Sequence, residues 1–394
     1  MIRKNCYKSG IKIKRHDRVE KKILICAGGT GGHINPALAV AQQIRDNYPL
    51  SEILFISSER GPGAELIPQY NINLKTVKSC GLVPGVNILK KIFNVIKFFY
   101  FYIIGFFQSL RIVLKFKPDI ILGMGGYICA PVLSAGILMG VKIALHEQNY
   151  IPGRLNSFFS RFAEFNFISF NDTVKYLKVR KDRVIFTGNP LRKTLKKLKS
   201  PGPKFKKWGL EEGRFTIVAF GGSLGAEKIN NTVTGLYDYF KDNNKIQILL
   251  ISGNRFYDRL MDNKKNIIKS KDKIIFKVFA YISEMNEIYR VSDLVISRAG
   301  ANTIFEIMEY NIPSILIPYP DAVANHQFYN ADFLVKNGKA IMIEDKDLSE
   351  KKVVEVIKIL AEADWKKYKE MKSLKIVNVP VDSAGLIASK LMEN

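Results

Sequence analysis

Cysteine is scarce: there are four in 394 residues, at positions 6, 26, 80 and 129, and no two form a C-x-x-C pair. That scarcity excludes a disulfide framework and a structural zinc site, and it fits a reducing cytosol. The first 20 residues are basic and polar, without the apolar core of a secretory leader, and are expected to form a basic N-terminal extension. The dinucleotide fingerprint G-x-G-x-x-G is missing, as is the phosphate-loop pattern G-x-x-x-x-G-K-[ST]. A nicotinamide dehydrogenase and a P-loop NTPase therefore lose their main support. Disorder is excluded too, because 47% of the chain is hydrophobic and 25% is charged. That balance belongs to a globular chain with room for about two to three domains.

Negative charge is also in short supply. Lys and Arg number 61 against 36 Asp and Glu, a net +25. Residues 1–188 carry 27 basic against 11 acidic residues, and residues 189–394 carry 34 against 25. An anionic partner of the first half (nucleic acid, a membrane surface or a phosphorylated substrate) fits this bias, as does a plain solvated basic face. The segment Ile92–Leu114 stands out within that half. Its stretch Phe98–Leu110 (FFYFYIIGFFQSL) holds no charge over 13 residues, is crowded with Phe and Tyr, and is flanked by Lys90, Lys91, Lys97, Arg111, Lys115 and Lys117. A bilayer crossing takes about 20 apolar residues, so this stretch is expected to be too short to span. Aromatics at headgroup level with lysines reaching anionic phosphates describe an interfacial helix. A core helix fits the same pattern, and one helix can be both, with one face on a sheet and another on lipid.

What the chain has in plenty is alternation of short apolar runs with helix-length segments. Lys22–Ala27, Glu52–Ser57, Asp119–Leu122, Val141–Leu145, Phe165–Ile168 and Val184–Phe186 read as strands. The pattern restarts at Phe215–Phe220 and continues through Gln247–Ile251, Ile274–Val278, Leu294–Ile296, Ser314–Ile317 and Ala340–Ile343. Strands separated by helices imply parallel, doubly wound sheets, and the restart implies two of them. Ile23–Gly32 (ILICAGGTGG) and Ile217–Ala226 (IVAFGGSLGA) form a weak internal repeat, each a strand running into a Gly-rich turn and a helix. Such a turn lets backbone approach a ligand, and the helix behind it offers free N–H groups to phosphate. Two in equivalent places predict an α/β enzyme of two Rossmann-like domains, with a boundary near Gly188-Asn189-Pro190.

Seven segments stand in order: GGTGGHINP (28–36), GMGGY (123–127), HEQN (146–149), GNPLR (188–192), GGSLGA (221–226), SRAGANTIFE (297–306) and NHQFYNA (325–331). Together they resemble the MurG family over about residues 21–390. These are peptidoglycan enzymes that move N-acetylglucosamine from UDP-GlcNAc to lipid I, giving lipid II. The resemblance implies the GT-B architecture, two Rossmann-like doubly wound domains facing a cleft. Residues 21–190, with a C-terminal helix within 376–394, would be the acceptor and membrane-facing domain, and 191–375 the UDP-GlcNAc-binding domain. It implies UDP-GlcNAc and lipid I as substrates, no cofactor, no metal and no nucleic acid. It also implies a peripheral place on the cytoplasmic face of the cell membrane, held through 90–117, among cell-wall synthesis proteins. The same fold acting on diacylglycerol or another lipid acceptor is the alternative; a UDP-GlcNAc 2-epimerase and a basic nucleic-acid binder lie further off.

The site residues follow by the same resemblance. His33 can take a proton at neutral pH and is the candidate general base on the acceptor hydroxyl, with nearby carboxylates such as Glu147 competing for the role. Thr30, Gly31 and Gly32 border the donor from the first loop, and Ser223 and Arg192 meet its diphosphate, Arg192 with a forked, fixed charge. Asn149 and Gln327 hydrogen-bond the sugar. Glu306 accepts from the two ribose hydroxyls, Ile282 reads uracil through its backbone, and Ala301, Asn302, Thr303, Ile304 and Phe305 line the loop before Glu306. Some family members carry two adjacent glutamines where this chain has His326-Gln327, which leaves the role of position 326 open.

Overall fold

The computed structural model describes residues 20–81, 88–195, 202–222, 225–265, 272–376, 379–380 and 382–393. The first 19 residues and Ser223 lie outside them. The first half runs β1 (Lys22–Cys26), α1 (Gly31–Asn47), β2 (Glu52–Ser58), α2 (Pro62–Leu66), β3 (Asn73–Val77), α3 (Ile88–Phe116), β4 (Ile120–Gly123), α4 (Cys129–Leu138), β5 (Lys142–Glu147), α5 (Arg154–Phe159), β6 (Phe165–Ile168) and β7 (Val184–Phe186). The second half runs β8 (Phe215–Phe220), α6 (Glu227–Phe240), β9 (Ile246–Ile251), α7 (Asn254–Lys265), β10 (Ile275–Phe279), α8 (Met285–Val291), β11 (Leu294–Ser297), α9 (Ala301–Tyr310), β12 (Ser314–Leu316), α10 (His326–Lys336), β13 (Ala340–Met342), α11 (Glu350–Ser373, broken by a non-helical turn at Glu362–Trp365) and α12 (Ser383–Glu393).

Two all-parallel sheets result, ordered β3-β2-β1-β4-β5-β6-β7 and β10-β9-β8-β11-β12-β13. Their strands are buried on both faces, as Ile23, Leu24 and Ile25 or Ile248, Leu249 and Leu250 show at 0% exposure, so helices must cover each side. In each sheet the winding reverses beside the first strand: β1 pairs with both β2 and β4, and β8 with both β9 and β11. Loops leaving the strands' carboxyl ends diverge there and open a crevice, the place where such sheets bind ligands. The repeat read in the sequence marks these two points. α12 leaves the second half and seals the first, since Ala384, Ile387, Ala388 and Leu391 share one core with Ile23, Ile34 and Leu38 of β1 and α1.

Every strand read from the sequence is present within a residue or two, and β3 was missed. Its NLKTV carries only two aliphatic residues, because it is a sheet edge that pairs with β2 alone and leaves Asn73, Lys75 and Thr76 exposed.

The expectation that the aromatic segment is too short to span counted only the uncharged run. α3 is 29 residues long, and Lys90–Phe116, which contains an 18-residue stretch with a mean hydropathy of 1.4, is long and apolar enough to cross a membrane by length and composition. Its C-terminal half is committed elsewhere. Val113 is buried with Phe106 and Leu110 packed beside it, Gln108 Oε1 accepts from Lys78 N at 2.8 Å, and a Cβ on Gly105 would stand 2.2 Å from the Lys78 carbonyl oxygen. The opposite face, with Ile92, Phe93, Ile96, Phe99, Tyr100, Ile103 and Phe107, is more than half exposed. Steps of one, three and four residues put these side chains on one continuous stripe.

Candidate active site

The crevice of the first sheet is built from backbone. Gly28–Gly32 leaves β1 and Gly123–Tyr127 leaves β4, and the loops interlock through Gly28 N–H donating to Gly125 O at 3.3 Å. Gly125 must be glycine twice over: its φ is +102°, and a Cβ there would stand 2.7 Å from the His33 ring. A side chain on Gly126 would meet the Gly28 carbonyl at 2.4 Å. Thr30 caps α1, its hydroxyl accepting from Gly32 N at 3.3 Å, and Gly31 and Gly32 form the first turn. His33 follows, with Nδ1 2.9 Å from Gly28 O. A carbonyl only accepts, so Nδ1 carries the proton and Nε2 keeps the lone pair that a base needs. Burial pushes the His33 pKa down, partly offset by that carbonyl.

Glu147, the competing base, is buried and fully engaged. Asn149 N and Nδ2 donate to its Oε1 at 2.9 and 3.2 Å, and Gly153 N and Asn156 Nδ2 to its Oε2 at 3.0 and 2.8 Å. Burial raises its pKa, and the four donors pull the other way. It shapes the turn rather than facing the cleft with a free oxygen. His146 is buried and held near a pKa of about 4, mainly by desolvation. Gln148 Nε2 donates to its Nδ1 at 3.0 Å, which sets the tautomer so that Nε2–H donates to Gly188 O at 3.2 Å.

On the other wall α9 begins directly after β11, with no side chain capping its first turn, so its leading N–H groups are left free for an acceptor. Ala301, Ile304 and Phe305 point into the core, so this turn offers its backbone rather than those side chains. Asn302 and Thr303 are half-buried at its end. Glu306, one turn on, accepts from Tyr289 Oη at 2.6 Å. Burial raises its pKa, while Tyr289 and the nearby Arg192 charge lower it. The buried Nε of Arg192 has no hydrogen-bond partner. Ile282 is buried in the loop after β10. Gln327 Oε1 accepts from Tyr319 N at 3.0 Å, leaving its amide N–H groups unspent. His326 Nδ1 donates to Val323 O at 2.7 Å, and desolvation lowers its pKa against a raising influence from Glu147.

The walls meet where two residues that the sequence reading passed over, Asn330 and Asn189, bond to two that it named, Asn149 and Asn302. Asn330 Oδ1 accepts from Tyr150 N at 2.9 Å, and its Nδ2 donates to Asn149 Oδ1 at 3.2 Å, which orients the Asn149 carboxamide. Asn189 Nδ2 donates to Asn302 Oδ1 at 2.8 Å, and Asn302 Nδ2 reaches Gly31 O at 3.2 Å. Both Asn189 and Asn330 stand inside quoted motifs, GNPLR and NHQFYNA, but buried cross-wall contacts carry no sequence signal of their own.

Among the described residues no cluster of three or more His, Cys, Asp or Glu is placed to hold a metal. A D-x-D spacing occurs at Asp345 and Asp347, and there Asp345 pairs with Arg298 Nη1 at 2.6 Å and with Lys228. The spacing Gly221-x-Ser223-x-Gly225 fits a hydrolase nucleophile elbow as well as a phosphate turn. Similarity to known proteins decides between them. Residues 23–168 match the glycosyltransferase family 28 N-terminal domain and residues 216–381 the glycosyltransferase family 28 C-terminal domain. Two facing parallel-sheet domains with these matches define a GT-B glycosyltransferase.

Relatives narrow the class. The chain is 39% identical, over 86% of its length and 90% of the relative, to the UDP-N-acetylglucosamine--N-acetylmuramyl-(pentapeptide) pyrophosphoryl-undecaprenol N-acetylglucosamine transferase of Caldanaerobacter subterraneus subsp. tengcongensis. It is 33% identical, over 95% of its length and 99% of the relative, to the protein of the same name from Natranaerobius thermophilus. The chain belongs to the MurG family. The crystal structure of Acinetobacter baumannii MurG superposes with a TM-score of 0.72 at 22% identity, covering 95% of this chain and all of that one. UDP-GlcNAc 2-epimerase from Neisseria meningitidis, at a TM-score of 0.65 and 14% identity, covers 95% of this chain and 100% of its own, and shares the fold alone.

Proposed function

We propose that this protein transfers GlcNAc from UDP-GlcNAc to the 4-hydroxyl of MurNAc in lipid I, with inversion, to form the β-1,4-linked disaccharide of lipid II. The observation that carries the reading is the near-full-length identity of 33–39% to relatives of that name. The geometry supports it in parts. His33 Nε2 takes the hydroxyl proton. The first-turn amides of α9, the second Gly-rich turn with Ser223, and Arg192 stabilise departing UDP. Glu306 accepts from the ribose hydroxyls, Ile282 meets uracil, and Asn149 and Gln327 meet the sugar. Thr30, Gly31 and Gly32 close the donor from the acceptor side. Residues 21–190 with 376–394 form the acceptor domain and 191–375 the donor domain. The exposed stripe of α3 and its lysines rest on the cytoplasmic face of an anionic membrane, near other cell-wall synthesis proteins.

The test is UDP release by the purified protein with UDP-GlcNAc, comparing a lipid I analogue, diacylglycerol and no acceptor, each with EDTA and with Mg²⁺. Release with the lipid I analogue alone, plus a disaccharide product, in the presence of EDTA, is expected. Release with diacylglycerol overturns the acceptor assignment, and loss in EDTA restored by Mg²⁺ overturns metal-independent chemistry.

A further inference from the structure

The two walls of the cleft are joined by asparagines on both flanks. On one flank Asn330, wholly buried, holds Asn149 and Tyr150, and the rings of Tyr150 and Tyr329 lie stacked at 6.2 Å and 13°. On the other flank a chain of hydrogen bonds starts at the buried His146, whose Nε2 donates to Gly188 O. The next residue, Asn189, donates to Asn302 Oδ1, and Asn302 Nδ2 donates to Gly31 O. Both ends of the Asn302 carboxamide are engaged, one by the interdomain connection and one by the turn that precedes His33.

We propose that Asn302 is a positioning residue whose side chain fixes the register between the N-terminus of α9 and the Gly31–His33 turn. It thereby sets the base against the sugar. The catalytic consequence rests on the proposed function, whereas the contact does not. A neutral carboxamide-to-carbonyl bond is weak enough to open and re-form as substrates enter and leave. Without it the Asn330 flank still holds, so the walls part about Asn330 and Tyr150, and His33 drifts from the anomeric carbon. Misplacement of a catalytic group by about 1 Å costs up to about a hundredfold in rate.

The experiment uses the full chain with Asn302→Ala, Asn189→Ala and the double variant. For each, kcat is measured with a lipid I analogue, UDP affinity by calorimetry, melting temperature by scanning calorimetry, and hydrogen exchange over residues 28–33 by mass spectrometry. Asn302→Ala is expected to lower kcat about ten- to a hundredfold while UDP affinity changes less than about twofold and exchange over 28–33 quickens. Asn189→Ala moves the same way, and the double variant is no worse than Asn302→Ala, as links in one chain require. A kcat within about twofold of wild type overturns the proposal. So does a UDP affinity that falls as far as kcat/KM, which would make Asn302 an ordinary donor contact. If the wild type does not use the lipid I analogue, the proposed function fails, and exchange over 28–33 alone then decides the clasp: faster exchange supports it and unchanged exchange overturns it.

Discussion

His33, Glu306 and His146 show three uses of burial at single residues. His33 keeps the Nε2 lone pair because Nδ1–H is spent on Gly28 O, and burial moves its pKa below 6.5. The acid limb of kcat/KM against pH is therefore expected below pH 6.5, with turnover flat across neutrality, and His33→Ala should lower kcat more than it raises KM. An unchanged kcat would remove His33 from the role of base. Glu306 is pre-oriented by Tyr289, so Glu306→Ala should weaken UDP binding by about ten- to a hundredfold, the worth of a hydrogen bond to a charged group, which calorimetry can measure. His146 belongs to stability. Its pKa of about 4 lies below the 6.5 of a free imidazole, so the unfolded chain binds the proton first as pH falls. The stabilisation is full above pH 6.5 and drains away down to about pH 4, on the order of 3 kcal/mol in total, and His146→Gln should flatten the melting temperature over that window. His33, Asn149, Arg192 and Glu306 could be named as candidates from the sequence because they sit in motifs with recognisable chemistry. Asn189 and Asn330 were not, because their task is defined by partners more than 100 residues away in the chain, Asn302 for one and Tyr150 for the other.

At the scale of elements, strand patterning worked where strands are buried on both faces, and failed at β3, where an edge needs few apolar residues. α3 was legible as an apolar, Lys-flanked segment but not in its length, since Lys90, Lys91 and Lys97 interrupt the run without ending the helix. Its two faces predict separate outcomes. Changing Phe93, Ile96, Phe99 and Phe107 to serine removes mostly exposed apolar surface, so the melting temperature should fall little while sedimentation with anionic vesicles falls several-fold. Gly105→Ala, on the packed face, forces a methyl toward the Lys78 carbonyl and should cost about 1–3 kcal/mol in denaturant unfolding while vesicle binding is retained. Equal losses in both variants would mean that the two faces are not independent.

For the molecule as a whole, the repeat of strand, Gly-rich turn and helix announced two equivalent sheets, and in each the winding reverses beside the strand that leads into the turn, β1 or β8. The order of the motifs along the chain announced the family. What no local pattern could give is how the last helix is used. Ala384, Ile387, Ala388 and Leu391 complete the core that contains Ile23, Leu38 and Phe55. The ribosome makes that core's β-strands first and its final helix last, separated by the entire second sheet. At roughly 5–20 residues per second the early half must wait tens of seconds for its closing piece. A chain stopped after residue 375 should therefore keep the second sheet protected from protease while the first is cut. Birth order and finishing order are inverted here, and the half that carries His33 stays dependent on a helix made only after the whole second sheet.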